Sequence, residues 1–408
     1  PNDYSQKTID YIKDDLDEEN GNQSEVADGS IAPNIIMLQL ESFFDPEYMK
    51  NVTYSQDPVL NFRILKENGA SGFLTVPSIG AGTANTEFEI LTGMSLEYFG
   101  PGEYPYKTVL KNQTCESICY NLKDEGYSTH AIHNNSATFY GRNIVFKNLG
   151  FDTFTPLEYM LNVQYNPIGW ADDSVLTGEI ISALNSTEGK DFIYTISVQG
   201  HGKYPTEIVD ESQTITVSGV PKNLKIPYEY YVNQIKEMDD FLGELIEALK
   251  DVKEPVMLVA YGDHLPNFDI TEDDIENGDL FQTEYVIWTN YKSDIQDEDL
   301  YAYQLSAHIM EEAGFTDGLV TKLHQSRDKM SSDKYKESLE LLEYDMLFGD
   351  VMAYDGWTPH ESTYMKMGTR DILIHDIQFL GTTAYIIGEN FTPWSTAQIN
   401  DVQYDVMY

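Results

Sequence analysis

Cysteine and basic side chains are scarce in this chain of 408 residues. It holds two cysteines, Cys115 and Cys119, which excludes a fold built on disulfides. They lie four apart in a helix-like run, where one turn sets both on one face. Small-residue packing is their expected role, and that geometry disfavours a disulfide. Lysine and arginine number 25 against 68 aspartates and glutamates, for a formal net charge of −43. So acidic a surface argues against a nucleic-acid partner and against adhesion to anionic lipid through a basic patch. No apolar run approaches the roughly 20 residues that span a bilayer, and no signal peptide is visible. The chain opens Pro1-Asn2-Asp3 without a methionine. It therefore reads as the soluble portion of something longer, with any membrane-proximal segment outside it.

Hydrophobic residues make up 41% of the chain, enough for a large packed domain with appendages. Residues 1–30 read as an acidic helix and linker, with a helix-like stretch from Ile9 to Leu16 and a solvated stretch from Asp17 to Ser30. Residues 31–350 read as the main domain. A strand-like run opens at Pro33, and others cover 72–76, 128–133, 191–198, 255–261 and 284–289. Helical patterns cover 57–68, 114–125, 142–149, 227–250 and 300–313, with late helices over 318–347. Such alternation predicts an α/β fold with a central, mostly parallel sheet between helices. Residues 366–408 turn β-rich. There, Ile387-Gly-Glu-Asn-Phe-Thr-Pro-Trp-Ser395 resembles the start of an IPT/TIG-type immunoglobulin-like sandwich. The roughly 40 residues fall short of the about 100 such a sandwich needs. The tail is thus either a truncated domain or an accessory packed on the main one.

Several apolar runs end in polar side chains. Pro255-Val-Met-Leu-Val-Ala-Tyr-Gly-Asp-His264 ends in an oxygen and a nitrogen ligand. Pro33-Asn-Ile-Ile-Met-Leu-Gln-Leu-Glu-Ser42 ends in Glu41. Ligands bind beyond the carboxyl ends of strands in open α/β sheets, so these ends make a site hypothesis. Between them lies Ser78-Ile-Gly-Ala-Gly-Thr-Ala-Asn-Thr-Glu87, a Gly-rich turn before a helix-like run from Glu87 to Thr92. Thr83 there is either a helix cap or a hydroxyl activated beside a divalent metal. Thr86 competes for both roles. Phe192-Ile-Tyr-Thr-Ile-Ser-Val-Gln-Gly-His201 is a further strand that ends in polar groups.

In this order, Glu41, the Gly-rich turn with Thr83, and Gly262-Asp263-His264 resemble the alkaline-phosphatase superfamily. Within it they are similar to the sulfatase-like lipoteichoic acid synthase and phosphoglycerol transferase family. The resemblance spans about residues 33–290 and implies a sulfatase-like catalytic domain. It implies that Glu41, Thr83, Asp263 and His264 bind one divalent cation, typically manganese, with magnesium or zinc as alternatives. Thr83 becomes the nucleophile. His133, Tyr140 and Arg142, in His133-Asn-Asn-Ser-Ala-Thr-Phe-Tyr-Gly-Arg142, become head-group contacts. The family usually has Trp at Tyr140 and Asn at Gly141. His201 becomes a phosphate contact and acid/base. The implied reaction moves glycerol phosphate from a phosphatidylglycerol-like head group to a glycan or glycerol phosphate polymer. It would take place at the outer face of the membrane or in the secreted state.

Nearby acids are expected to be bystanders. Asp45 sits beyond the strand, Asp172 and Asp173 suit helix capping, and Asp239 and Asp240 lie mid-helix. His130 suits packing. One rival function is hydrolysis of phosphodiesters or sulfate esters on the same fold. Neither cysteine lies in the Gly-rich turn, against a sulfatase with a modified cysteine. A second rival is a non-catalytic surface-binding protein.

Overall fold

The structure is a computed structural model that describes residues 1, 3–20, 31–404 and 406–408. The expected solvated stretch at 21–30 lies outside the described residues. The strands are β1 (Asn34–Leu40), β2 (Thr53–Tyr54), β3 (Ala70–Thr75), β4 (Ser128–His133), β5 (Thr153–Pro156), β6 (Asp191–Ile196), β7 (Val217–Ser218) and β8 (Val256–Gly262). They continue with β9 (Gln282–Thr289), β10 (Leu300–Tyr301), β11 (Lys366–Met367), β12 (Leu373–Leu380), β13 (Thr383–Glu389), β14 (Ala397–Ile399) and β15 (Val402–Tyr404). The helices are α1 (Gln6–Asn20), α2 (Leu60–Asn68), α3 (Thr83–Thr92), α4 (Ile118–Asp124) and α5 (Arg142–Asn148). After them come α6 (Val175–Leu184), α7 (Lys225–Lys250), α8 (Ala302–Glu312), α9 (Leu319–Gln325) and α10 (Ser332–Leu347).

Among the described residues, nine strands form one sheet in the order β10-β3-β9-β8-β1-β6-β4-β5-β11. The run β8-β1-β6-β4-β5-β11 is parallel, while β9 is antiparallel to both its neighbours. This is the mostly parallel sheet expected from the sequence.

Its central strands are apolar because both faces are covered. Ile35 and Met37 of β1 enter one core, and Ile36, Leu38 and Leu40 enter the other. β8 divides the same way, with Met257, Val259 and Tyr261 on one face and Leu258 and Ala260 on the other. A strand buried on two sides loses the polar alternation of a half-exposed one. α3 and α8 supply the first core, and α2 and α7 the second. α1 joins the first core through Ile9, Ile12 and Leu16, all buried and spaced three and four apart, the stripe of an amphipathic helix. α1 extends to Asn20, past the expected end at Leu16. No helix among the described residues is long and apolar enough to cross a membrane.

The tail divides in two. β11 pairs in parallel with β5 as an edge of the main sheet. Beyond it, β12 pairs with β13 and β14 with β15 in two small antiparallel sheets. Cys115 precedes α4 instead of lying within it, and both cysteines are buried and free.

Candidate active site

Glu41 follows β1 and His264 lies two residues past the end of its parallel neighbour β8. Gly262 permits the approach, because a Cβ there would stand 1.9 Å from the carbonyl oxygen of Phe43. Ser42 then takes a left-handed backbone, with φ of 52°. Its N–H donates to Asp263 Oδ1 at 2.8 Å, and its hydroxyl donates to Glu41 Oε1 at 2.9 Å. Ser42 thereby locks the two strand ends together. Nothing in the local sequence signals this, since the partner lies more than 200 positions away.

The third part comes from α3. Gly82 stands before it with φ of 99°, a conformation that costs glycine little. Thr83 is the first helical residue and Gly82 occupies the cap position, so Thr83 is not the cap. Its hydroxyl instead donates to Glu41 Oε2 at 3.0 Å. Gln39, buried in β1, donates to the Thr83 carbonyl at 3.4 Å and accepts from Tyr194 and Tyr261. The hydroxyl of Thr86 donates to the Asp263 carbonyl and is wholly buried, so Thr86 supports the site from behind.

Ligand atoms of Glu41, Asp263 and His264 lie within 4.8 Å of one another, and all three residues are buried. Nδ1 of His264 faces the Leu265 carbonyl at 2.9 Å. In the neutral ring that contact assigns the proton to Nδ1 and leaves Nε2 a lone pair. Nε2 stands 3.4 Å from Asp263 Oδ2 and 3.7 Å from Glu41 Oε1. Among the described residues, neither Nε2 of His264 nor Oδ2 of Asp263 has a hydrogen-bond partner. Buried polar atoms without partners are rare, and two aimed at one point fit the donor set of a divalent cation. Burial and the Glu41 charge raise the Asp263 carboxyl. Burial lowers the His264 imidazole, but Asp263 and Glu41 outweigh it and raise the group. A divalent cation would relieve that crowding of acids.

The cluster opens into a cavity of about 430 Å³ lined by Glu41, Thr83, Tyr140, His201, Lys203 and His264, among others. That volume suits a small ligand. His201 is half-buried, its Nδ1 contacts the Gly202 carbonyl, and the Trp170 ring lies against it at 4.5 Å. Lys203 is exposed and forms no ion pair among the described residues. Tyr140 stacks on Tyr104 with ring centroids 5.7 Å apart.

Two of the expected head-group contacts stand back from the cavity lining. Arg142 is fully buried, and its fork is held by Glu87 through Nε–Oε2 at 3.1 Å and Nη2–Oε1 at 2.5 Å. The expectation that this fork grips a phosphate therefore meets a competitor already seated on it. Its guanidinium carbon lies 5.3 Å from the Tyr140 ring centroid, so it braces that wall. His133 ends β4 with Nδ1 on the Ile196 carbonyl at 2.9 Å. Burial, then the Arg142 charge, holds it well below the ordinary histidine value, so the ring is neutral.

Most of the expected bystanders have structural work. His130 bonds Asp191 and Thr153. Asp45 binds Arg63. Asp239 accepts from the N–H groups of Asn61 and Phe62 and so caps α2 from α7. Asp173 departs from the capping expectation. It accepts from the Val198 and Gln199 N–H groups and from Asn134, tying the loop after β6 to that after β4.

The Sulfatase family model matches residues 33–302, more than half of the chain. A putative cyclic beta-1,2-glucan modification protein of Rhizobium meliloti is 35% identical over 235 residues, 57% of this chain and 36% of that protein. The lipoteichoic acid synthase of Staphylococcus saprophyticus is 24% identical over 268 residues, 63% of this chain and 39% of that protein. The chain thus spans well under half the length of these relatives. Among solved structures, the Streptococcus pyogenes phosphoglycerol transferase GacH, in complex with sn-glycerol-1-phosphate, superposes with a TM-score of 0.74 at 23% identity. That match covers 86% of this chain and 96% of that one. The matched model covers more than half of the chain: the chain belongs to the sulfatase family.

Proposed function

We propose that the chain is the catalytic portion of a metal-dependent phosphoglycerol transferase with Thr83 as nucleophile. The observation that carries this reading is the Thr83 hydroxyl at 3.0 Å from Glu41, beside the two unpartnered ligand atoms of Asp263 and His264. A bound divalent cation, manganese first and magnesium or zinc next, would lower the barrier to losing the Thr83 proton and offset charge on the phosphoryl oxygens. Glu41, Asp263, His264 and Thr83 would hold it.

The chain's own groups supply the rest. Thr83 Oγ attacks the phosphorus of a phosphatidylglycerol-type head group as its proton leaves. The bond to the diacylglycerol oxygen breaks, and that oxygen takes up a proton. Glycerol phosphate then rests on Thr83 as a phosphodiester. An acceptor hydroxyl attacks the same phosphorus, gives up its proton and returns Thr83 to the free hydroxyl. His201 lines the cavity with Nδ1 occupied, which suits Nε2 for giving the first proton and taking the second. Lys203 and Tyr140 suit the walls around the head group. A reaction on phospholipid would bring the chain to a membrane surface, the outer face in this reading.

The relatives support a carbohydrate or polymer acceptor, since one is a glucan modification protein and another a lipoteichoic acid synthase. The test strips the protein with chelator and then restores manganese, magnesium or zinc. Diacylglycerol release from phosphatidylglycerol vesicles is followed with and without added saccharide. Release that needs the cation, with glycerol phosphate appearing on the saccharide, is the expected result. Release unaffected by chelation would overturn the metal site. Free glycerol phosphate as the sole product, whatever the acceptor, would make the protein a hydrolase.

A further inference from the structure

A second cleft lies on the same edge of the sheet. Strands β1, β6, β4, β5 and β11 are neighbours in that order and run parallel, so their carboxyl ends share one edge. Glu158 and Tyr159 follow the end of β5, and Thr369 and Arg370 follow the end of β11. The segment after β13 folds over them. It is fixed by the Thr392 hydroxyl, which donates to the Glu158 carbonyl at 2.7 Å. Between these parts is a cavity of about 390 Å³, lined by Tyr159, Glu179, Arg370, Asn390, Trp394 and Ser395, among others.

Its chemistry is specific. Glu179, on α6, is 4% exposed, and its Oε1 binds Arg370 Nη2 at 2.6 Å. Its other oxygen, Oε2, is buried and has no partner among the described residues. The lining therefore offers a buried acceptor that lacks a donor. The Glu179–Arg370 pair cancels its own charge, so the cleft has no spare cation for a phosphate. Trp394 and Tyr159 remain 44% and 43% exposed. They give two large aromatic faces, and Asn390 and Ser395 add polar groups that both donate and accept.

We infer that this cleft binds a neutral saccharide chain, with sugar faces against Trp394 and Tyr159 and a sugar hydroxyl donating to Glu179 Oε2. A sugar has both an apolar face and a ring of hydroxyl donors, which matches amphipathic aromatics beside a lone carboxylate oxygen. Neighbouring strands are about 4.8 Å apart, so β5 lies roughly 14 Å along the edge from β1. A saccharide of several units held here reaches toward Thr83 along the strand ends. Its role as acceptor rests on the transfer proposed above; the binding does not.

The test is calorimetric titration of the chain with neutral β-glucan and α-mannan hexasaccharides, with no phospholipid present. Trp394→Ala and Glu179→Gln are titrated alongside. At least one hexasaccharide is expected to bind, and each substitution to weaken it about tenfold or more, the loss of one good contact. Circular dichroism matching the parent excludes unfolding as the cause. No binding of either sugar, or binding that neither substitution changes, overturns the inference. A lysine tripeptide that binds in place of the sugars also overturns it. Diacylglycerol release is measured separately on the same protein preparations, with phosphatidylglycerol vesicles and manganese added. Sugar binding without release leaves the cleft standing and sinks the transferase reading, and the reverse result does the opposite.

Discussion

At the scale of single residues, the site depends on charges held where water is scarce. Glu87 and Arg142 form a buried pair with both side chains almost wholly covered. Removing one partner of such a pair strands the other's charge and costs about 3–5 kcal/mol. Glu87→Ala is therefore expected to lower the urea midpoint markedly and to weaken activity through loss of the Tyr140 wall. A Glu87→Ala chain with parental stability would contradict the assigned pairing. The same observation explains why Arg142 was legible only in part. The family resemblance assigned it to an anionic head group, and a carboxylate anion holds it. That the carboxylate belongs to Glu87, 55 positions away, is a tertiary fact that no local spacing carries.

At the scale of elements, the central claim is that two strand ends and one helix start are locked at short range. Gly262→Ala tests the lock, because its Cβ has no room beside the Phe43 carbonyl. Overpacking of this kind costs about 1–3 kcal/mol, and the shift falls on Asp263 and His264. Lower thermal stability with loss of turnover is expected. An alanine variant equal to the parent in both would show that the approach is not needed. Elements were legible in proportion to length and burial. β1, β6 and β8 are apolar on both faces and stood out as continuous runs. β5 and β11, of four and two residues, are too short to show a period, and they are the strands that build the second cleft. β10 was read as the first turn of a helix, because its two residues run straight into α8. α6, interrupted by Gly178, was missed for its weak pattern.

At the scale of the whole molecule, an acidic chain must still bury some acids. Glu89, in α3, is 4% exposed, and burial pushes its carboxyl up to about 8 from 4.5. Below 4.5 the group is protonated in both the folded and unfolded chains and costs nothing. Between 4.5 and about 8 the unfolded chain releases the proton while the folded chain keeps it, so stability falls as pH rises. Glu89→Gln keeps an acceptor for the Leu96 N–H and removes the titration. Urea midpoints across that interval are expected to fall less steeply in the variant, with a gain on the order of a few kcal/mol at the upper end. Parallel pH profiles for the two proteins would refute the assignment. The fold class was legible at this scale because alternation of strands and helices persists over some 300 residues. The β-rich tail was legible as strands, while its seat on the main domain depends on Thr392 and Arg370, contacts that composition does not encode.

The most direct measurement follows the reacting atom itself. The chain is incubated with phosphatidylglycerol vesicles and manganese, quenched in acid and digested, and its peptides are weighed by mass spectrometry. The account predicts glycerol phosphate on the peptide that carries Thr83, dependent on the cation and discharged when an acceptor saccharide is added. Continued turnover by Thr83→Ala, or the adduct on a different residue, would contradict it.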